Sequence, residues 1–105
     1  METFVLEVRA SGTPIEFEAT LRHCLRACRY EVLDAYRDVH PVVEIIKVSG
    51  SSIALTAELL QLGDAIRERG GSKQMRVEVT NEKGDQIDLL TAEESAVSRL
   101  LFLQG

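Results

Sequence analysis

Apolar and polar positions alternate at the start of the chain, with Phe4, Leu6 and Val8 on one side and Val5, Glu7 and Arg9 on the other. A period of two predicts a strand over residues 3–9. Ser11-Gly12-Thr13-Pro14 then turns the chain. Ile15-Glu16-Phe17-Glu18 reads two ways. It alternates like a short returning strand, and Thr13-Pro14-Ile15-Glu16 also fits a capping box with Pro at the first helical position. The strand is preferred, because a helix from Pro14 to Asp38 is long for so small a domain.

From Ala19 to Asp38 the period changes. Leu21, Leu25, Cys28, Val32, Ala35 and Val39 recur at steps of three or four, which predicts one helix with a single apolar stripe. His40-Pro41 ends it, since Pro drives its predecessor out of helical angles. Val42-Val43-Glu44-Ile45-Ile46-Lys47-Val48 is β-branched on both faces and is expected to be the central strand. After Ser49-Gly50-Ser51-Ser52, the segment Ile53-Ala54-Leu55-Thr56 either returns as a strand or opens a helix capped by Ser51 or Ser52. Ala57 to Arg69 is helical by either reading, with Leu59, Leu62 and Ile66 on one face and Gly70-Gly71 as the stop. Met75, Val77 and Val79 alternate with polar neighbours, Asn81-Glu82-Lys83-Gly84 turns, and Gln86-Ile87-Asp88-Leu89 returns as a hairpin. Thr91-Ala92-Glu93-Glu94 caps a last helix with Ala96, Val97, Leu100 and Leu101 facing inward. The expected fold is a single α+β domain over residues 1–105. It has two layers: a mainly antiparallel sheet of four to six short strands, covered by two main helices and a short C-terminal helix.

Composition supports a globular domain: 45% hydrophobic and 28% charged among 105 residues. Seventeen acids against twelve Lys and Arg give a net charge of −5, which argues against a general nucleic-acid or anionic-membrane binder. The charge is uneven. Residues 1–18 hold one Arg against four Glu, and residues 81–98 one Lys against five acids, whereas residues 19–40 hold four Arg against three acids. Met1 to Glu7 lacks the basic and apolar regions of a signal peptide, and no window approaches the roughly 20 apolar residues of a membrane span. The expected compartment is therefore the cytoplasm, with Cys24 and Cys28 as thiols.

No local signature of catalysis stands out. Gly70-Gly71-Ser72-Lys73 lacks the upstream glycine of a phosphate loop and follows a helix. The acids from Glu82 to Glu94 lack cation-loop spacing, and those at the last helix's start suit its dipole. No cofactor or metal ligand set is predicted. Cys24 and Cys28 are one residue too far apart for a Cys-x-x-Cys motif and belong to the apolar stripe, where buried thiols are inert.

Two features point to association. On the predicted helix Arg22, Arg26, Arg29 and Arg37 fall within an arc of about 80°. Like charges at helical contact spacing cost stability unless an acidic surface answers them. The consecutive Leu100-Leu101-Phe102-Leu103 cannot all enter one core from a short helix, so either the tail folds over the domain or Leu101, Phe102 and Leu103 dock on a partner such as a second copy.

The helix Leu59 to Arg69, then Met75-Arg76-Val77-Glu78-Val79, the Asn81-Glu82-Lys83-Gly84 turn and Gln86-Ile87-Asp88-Leu89, resembles the effector-associated constant component family. That resemblance implies a non-enzymatic signalling or adaptor part of a bacterial conflict system, with no catalytic residues to carry over. The leading expectation is a protein-interaction module whose partner is an effector component or a second copy. A phage-type inhibitor or antitoxin-like protein acting through an acidic face is the second reading. A thiol enzyme using Cys24 or Cys28 is the third.

Overall fold

The first strand forms where alternation predicts it. In β1 (Phe4–Ser11), Leu6, Val8 and Ala10 are buried while Glu7 and Arg9 face solvent. The structure, a computed structural model, describes residues 3–13, 17–36, 38, 41–68 and 75–102, apart from the side chain of Phe102. Along the chain follow α1 (Phe17–Cys24), β2 (Arg29–Tyr36), β3 (Val43–Gly50), α2 (Ser52–Glu68), β4 (Arg76–Thr80), β5 (Gln86–Asp88) and α3 (Glu94–Phe102).

Five strands form one sheet in the order β2-β3-β1-β4-β5, and every neighbouring pair is antiparallel. The first six elements, with order β2-β3-β1-β4, have the split β-α-β connectivity of ferredoxin-like domains, which β5 and α3 extend. The expected α+β class with a mainly antiparallel sheet and three helices is the observed one. The middle position belongs to β1, flanked by β3 and β4, and not to the β-branched run at 42–48.

One face of the sheet is covered. Leu6, Val8, Ile46, Val48, Val77 and Val79 pack there beneath Phe17 and Leu21 of α1 and Leu55, Leu59, Leu62 and Ile66 of α2. Fully burying an aliphatic side chain of this size stabilises the fold by about 1.5–3 kcal/mol. α3 adds Val97, Leu100 and Leu101, which span about 100° of helix and all reach the core. Leu101 is only 3% exposed, so it is a core residue and not the docking residue expected from the apolar tail. Leu103 and the side chain of Phe102 lie outside the described residues.

The long helix expected from Ala19 to Asp38 does not form. α1 stops at Cys24, residues 26–28 bend, and the chain runs extended from Arg29. Two partners compete successfully with helical hydrogen bonding. The free edge of β3 takes up residues 29–36 from Arg29↔Ser49 to Tyr36↔Val43, with a bulge at Leu33. The amides of Ala27 and Cys28 go to the Glu58 carboxylate. Tyr30, Val32 and Tyr36 also suit a pleated surface better than a helix.

Two further local expectations are revised and one open alternative is decided. Phe17-Glu18 opens α1 instead of closing a returning strand, while residues 14–16 lie outside the described set. Residues 53–56 are helical: Ser51 caps α2, its Oγ accepting the Ala54 N–H at 3.1 Å. The first bonds of α3 run from the Ala96 and Val97 amides to the Glu93 carbonyl, so Glu93 and not Thr91 is its N-cap. The 75–89 hairpin forms as read, around Asn81. Its Oδ1 accepts the Lys83 and Asp85 amides, and Gly84 takes the left-handed φ of 90° that favours glycine.

Candidate interaction surface

The change from helix to strand after Cys24 disperses the predicted arginine arc. Arg22 is exposed on α1, on the covered side of the sheet. Arg26 is exposed in the connecting bend. Arg29 begins β2 opposite Ser49, which alternates with buried Val48, so Arg29 stands on the uncovered face. Arg37 lies outside the described residues. The described arginines occupy three different elements and form no single strip.

The uncovered sheet face carries rows of paired residues. One row is Asp34, Ile45, Arg9, Glu78 and Asp88; the next is Glu31, Lys47, Glu7, Thr80 and Gln86. Opposite charges therefore face each other directly at Glu31–Lys47, Lys47–Glu7 and Arg9–Glu78. Glu78 also meets Arg76 Nε at 3.1 Å and accepts a hydrogen bond from Gln86 at 2.7 Å. Basic and acidic side chains interleave here, which is not the continuous acidic face of a nucleic-acid mimic.

The least covered element is β2. It bonds to β3 along one side only, and none of its eight residues is buried. Val32 is 37% exposed, Leu33 50% and Tyr36 48%. Leu33 sits at the bulge, Val32 faces the helix side opposite Ile46, and Tyr36 faces the open side opposite Val43. The far end is closed by its own side chain: Asp34 accepts the Ala35 N–H at 2.9 Å and the Tyr36 hydroxyl at 2.7 Å. That hydroxyl bond and the Asp34 charge raise the Tyr36 pKa. Bulges and edge-directed carboxylates are ways in which proteins restrict a free strand. Residues 29–33 carry no such cap in the bonds described for this strand.

The start of β2 is fixed from beneath. Both Glu58 oxygens accept the Ala27 N–H, at 3.0 and 3.1 Å, and Oε1 also accepts the Cys28 N–H at 3.2 Å. The Cys28 thiol hydrogen-bonds the same carboxylate, and burial together with that charge pushes its pKa up to about 12. Cys24 and Cys28 are both buried and form no disulfide, one ending α1 and the other in the bend, so the core holds both without a shared helical stripe. A thiol with a raised pKa is protonated at neutral pH, the opposite of an activated nucleophile. Among the described residues, no group of three or more His, Cys, Asp or Glu is placed to hold a metal ion, and no helix is long and apolar enough to cross a membrane.

Neither Glu58 nor the β2 surface is singled out by sequence reasoning. The signal for Glu58 is an acid on the Leu55, Leu59, Leu62 stripe of α2. For β2 it is the alternation of Tyr30 and Val32 with Arg29 and Glu31. No family model matches this chain, and no curated protein or solved structure matches it either.

Proposed function

We propose that this chain is a non-enzymatic protein-interaction module that binds through β2 and acts as an adaptor in a bacterial defence or regulatory assembly. The observation that carries the reading is β2 itself: an edge strand with no buried residue that displays Val32, Leu33 and Tyr36. Such an edge offers backbone groups for strand addition and apolar side chains for specificity. The protonated, buried Cys28 favours this over a thiol enzyme. The assembly follows from the resemblance of the Leu59–Leu89 segment to the effector-associated constant component family.

Capture from the source cells tests it, with the full chain and its Leu33→Lys variant as parallel baits. Leu33 is half exposed, so the variant is expected to keep the wild-type circular dichroism spectrum and Tm. The expected result is a bound protein on the wild-type bait that the variant does not retain. Identical captured sets on two folded baits would overturn the assignment of β2.

A further inference from the structure

We infer that the protein seated on β2 is a second copy of this chain, paired antiparallel through β2 about a two-fold axis at Glu31. This names the occupant of the docking element proposed above and presupposes it. The two five-stranded sheets then become one, with both helical layers on the same side. A two-fold pairing satisfies both long edges at once and closes, leaving the three-residue β5 at each outer rim.

The faces of β2 limit the registers. Arg29, Glu31, Asp34 and Tyr36 stand on the open face, whereas Tyr30, Val32 and Ala35 stand on the helix side, with Leu33 as the bulge between the two parities. A continuous sheet must set open-face residues against open-face residues. An axis at Val32 sets Glu31 against Asp34 of the other copy twice, and an axis at Asp34 sets that carboxylate against itself without any opposite pair. Both leave like charges directly facing with no opposite-charge pair between the copies to offset them. An axis at Tyr30 opposes Arg29 to Glu31 but leaves Leu33 and Asp34 outside the pairing.

The axis at Glu31 pairs Arg29 with Asp34 of the other copy, twice, and Tyr30 with Val32, twice. Glu31 meets its own copy on the axis. There each carboxylate has the other copy's Arg29 on one diagonal, its Asp34 on the other, and Lys47 of its own β3 directly opposite. The pairing spans Arg29 to Asp34, covers exposed Val32 and the Leu33 bulge, and ends where Asp34 already occupies the Ala35 amide. Register, charge and the position of the cap agree on the same limits.

Sedimentation velocity and light scattering of the full chain test the pairing, using Arg29→Glu and Asp34→Arg. Both positions are exposed, and circular dichroism reports whether each variant is folded. The wild-type mass is expected to rise with concentration from the 11.7 kDa of one chain to twice that value. Each variant alone is expected to dimerise at least tenfold more weakly, because both cross-copy pairs become like-charged. An equimolar mixture is expected to recover dimer. The carboxylate introduced by Arg29→Glu in one copy then faces the guanidinium introduced by Asp34→Arg in the other, and the native Asp34–Arg29 pair completes the second contact. A wild-type monomer at every concentration overturns the second-copy occupant; β2-dependent capture of a different protein would still support the interaction module. A dimer insensitive to both reversals places the interface elsewhere. Loss in both variants without recovery on mixing overturns the register.

Discussion

The Glu58 carboxylate on α2 accepts the backbone N–H of Cys28 at 3.2 Å from a position 30 residues away in the chain. The same carboxylate holds the Ala27 amide. It thereby takes over two donors that a continued α1 would have satisfied internally, and it fixes where β2 begins. A buried amide left unpaired costs about 1–3 kcal/mol. Glu58→Ala, which orphans both, is expected to destabilise the fold by about 2–4 kcal/mol in urea titration. Glu58→Gln retains one acceptor oxygen and should cost about half as much. An Ala variant within about 0.5 kcal/mol of wild type would show that water replaces the carboxylate at no cost.

Cys28 links this contact to pH. Its folded pKa of about 12 lies above the ordinary 9.0, so between those values the folded state holds a proton that the unfolded state has lost. Stability from this group is complete below pH 9 and is lost as pH rises towards 12. The expected result is a fall in urea midpoint through that window that is shallower in Cys28→Ala. At about pH 7–8 a thiol reagent should modify neither cysteine until the chain unfolds, since both are buried. Rapid labelling of the folded chain at neutral pH would contradict the protonated, enclosed thiol and revive the enzyme reading.

Gly50 ends β3 against the same cysteine. A Cβ at this position would lie 2.9 Å from Cys28 Sγ and 3.4 Å from Cys28 Cα. Gly50→Ala is expected to cost about 1–3 kcal/mol through overpacking. Removing the sulfur as well, in Gly50→Ala/Cys28→Ala, should recover part of that loss. The two changes should therefore couple in a double-mutant cycle. Strict additivity would show that the backbone moves aside without cost.

At the other edge, Asn81 ties the β4–β5 turn to the end of α3. Its Oδ1 accepts the Lys83 and Asp85 amides at 3.0 and 2.9 Å, while its Nδ2 donates to the Leu100 carbonyl at 3.0 Å. Asn81→Ala is expected to cost about 2–4 kcal/mol. Asn81→Asp keeps the acceptor but loses the donor to Leu100, so it should speed amide exchange in the last turn of α3 while sparing the turn amides. Equal exchange in both variants and wild type would remove the role of that link.

The elements differ in how far residue order alone reveals them. β1, β4 and α3 are legible because one period fits each, with Leu6, Val8 and Ala10 at two and Val97, Leu100 and Leu101 at three and four, and β3 is legible from its β-branched run. The interval from Leu25 to Tyr36 fits both periods. Leu21, Leu25, Cys28, Val32 and Ala35 have helical spacing, and Tyr30 and Val32 alternate with charged neighbours as a strand does. The arginine arc rests on the helical choice and falls with it. Leu101 takes the inward face that its spacing from Val97 predicts, which removes it from the docking tail.

By itself, the order of residues determined an α+β fold with an alternating first strand, a hairpin around Asn81 and a C-terminal helix presenting Val97, Leu100 and Leu101. These depend on contacts close in sequence or on one unambiguous apolar face. Only the tertiary structure decided that residues 29–36 form a strand, that the described arginines of the predicted arc part company, and that Val32, Leu33 and Tyr36 are displayed on an edge. The deciding forces come from far along the chain: the unpaired edge of β3 and the carboxylate of Glu58. Local propensities near a tie are settled by whichever distant partner satisfies the backbone.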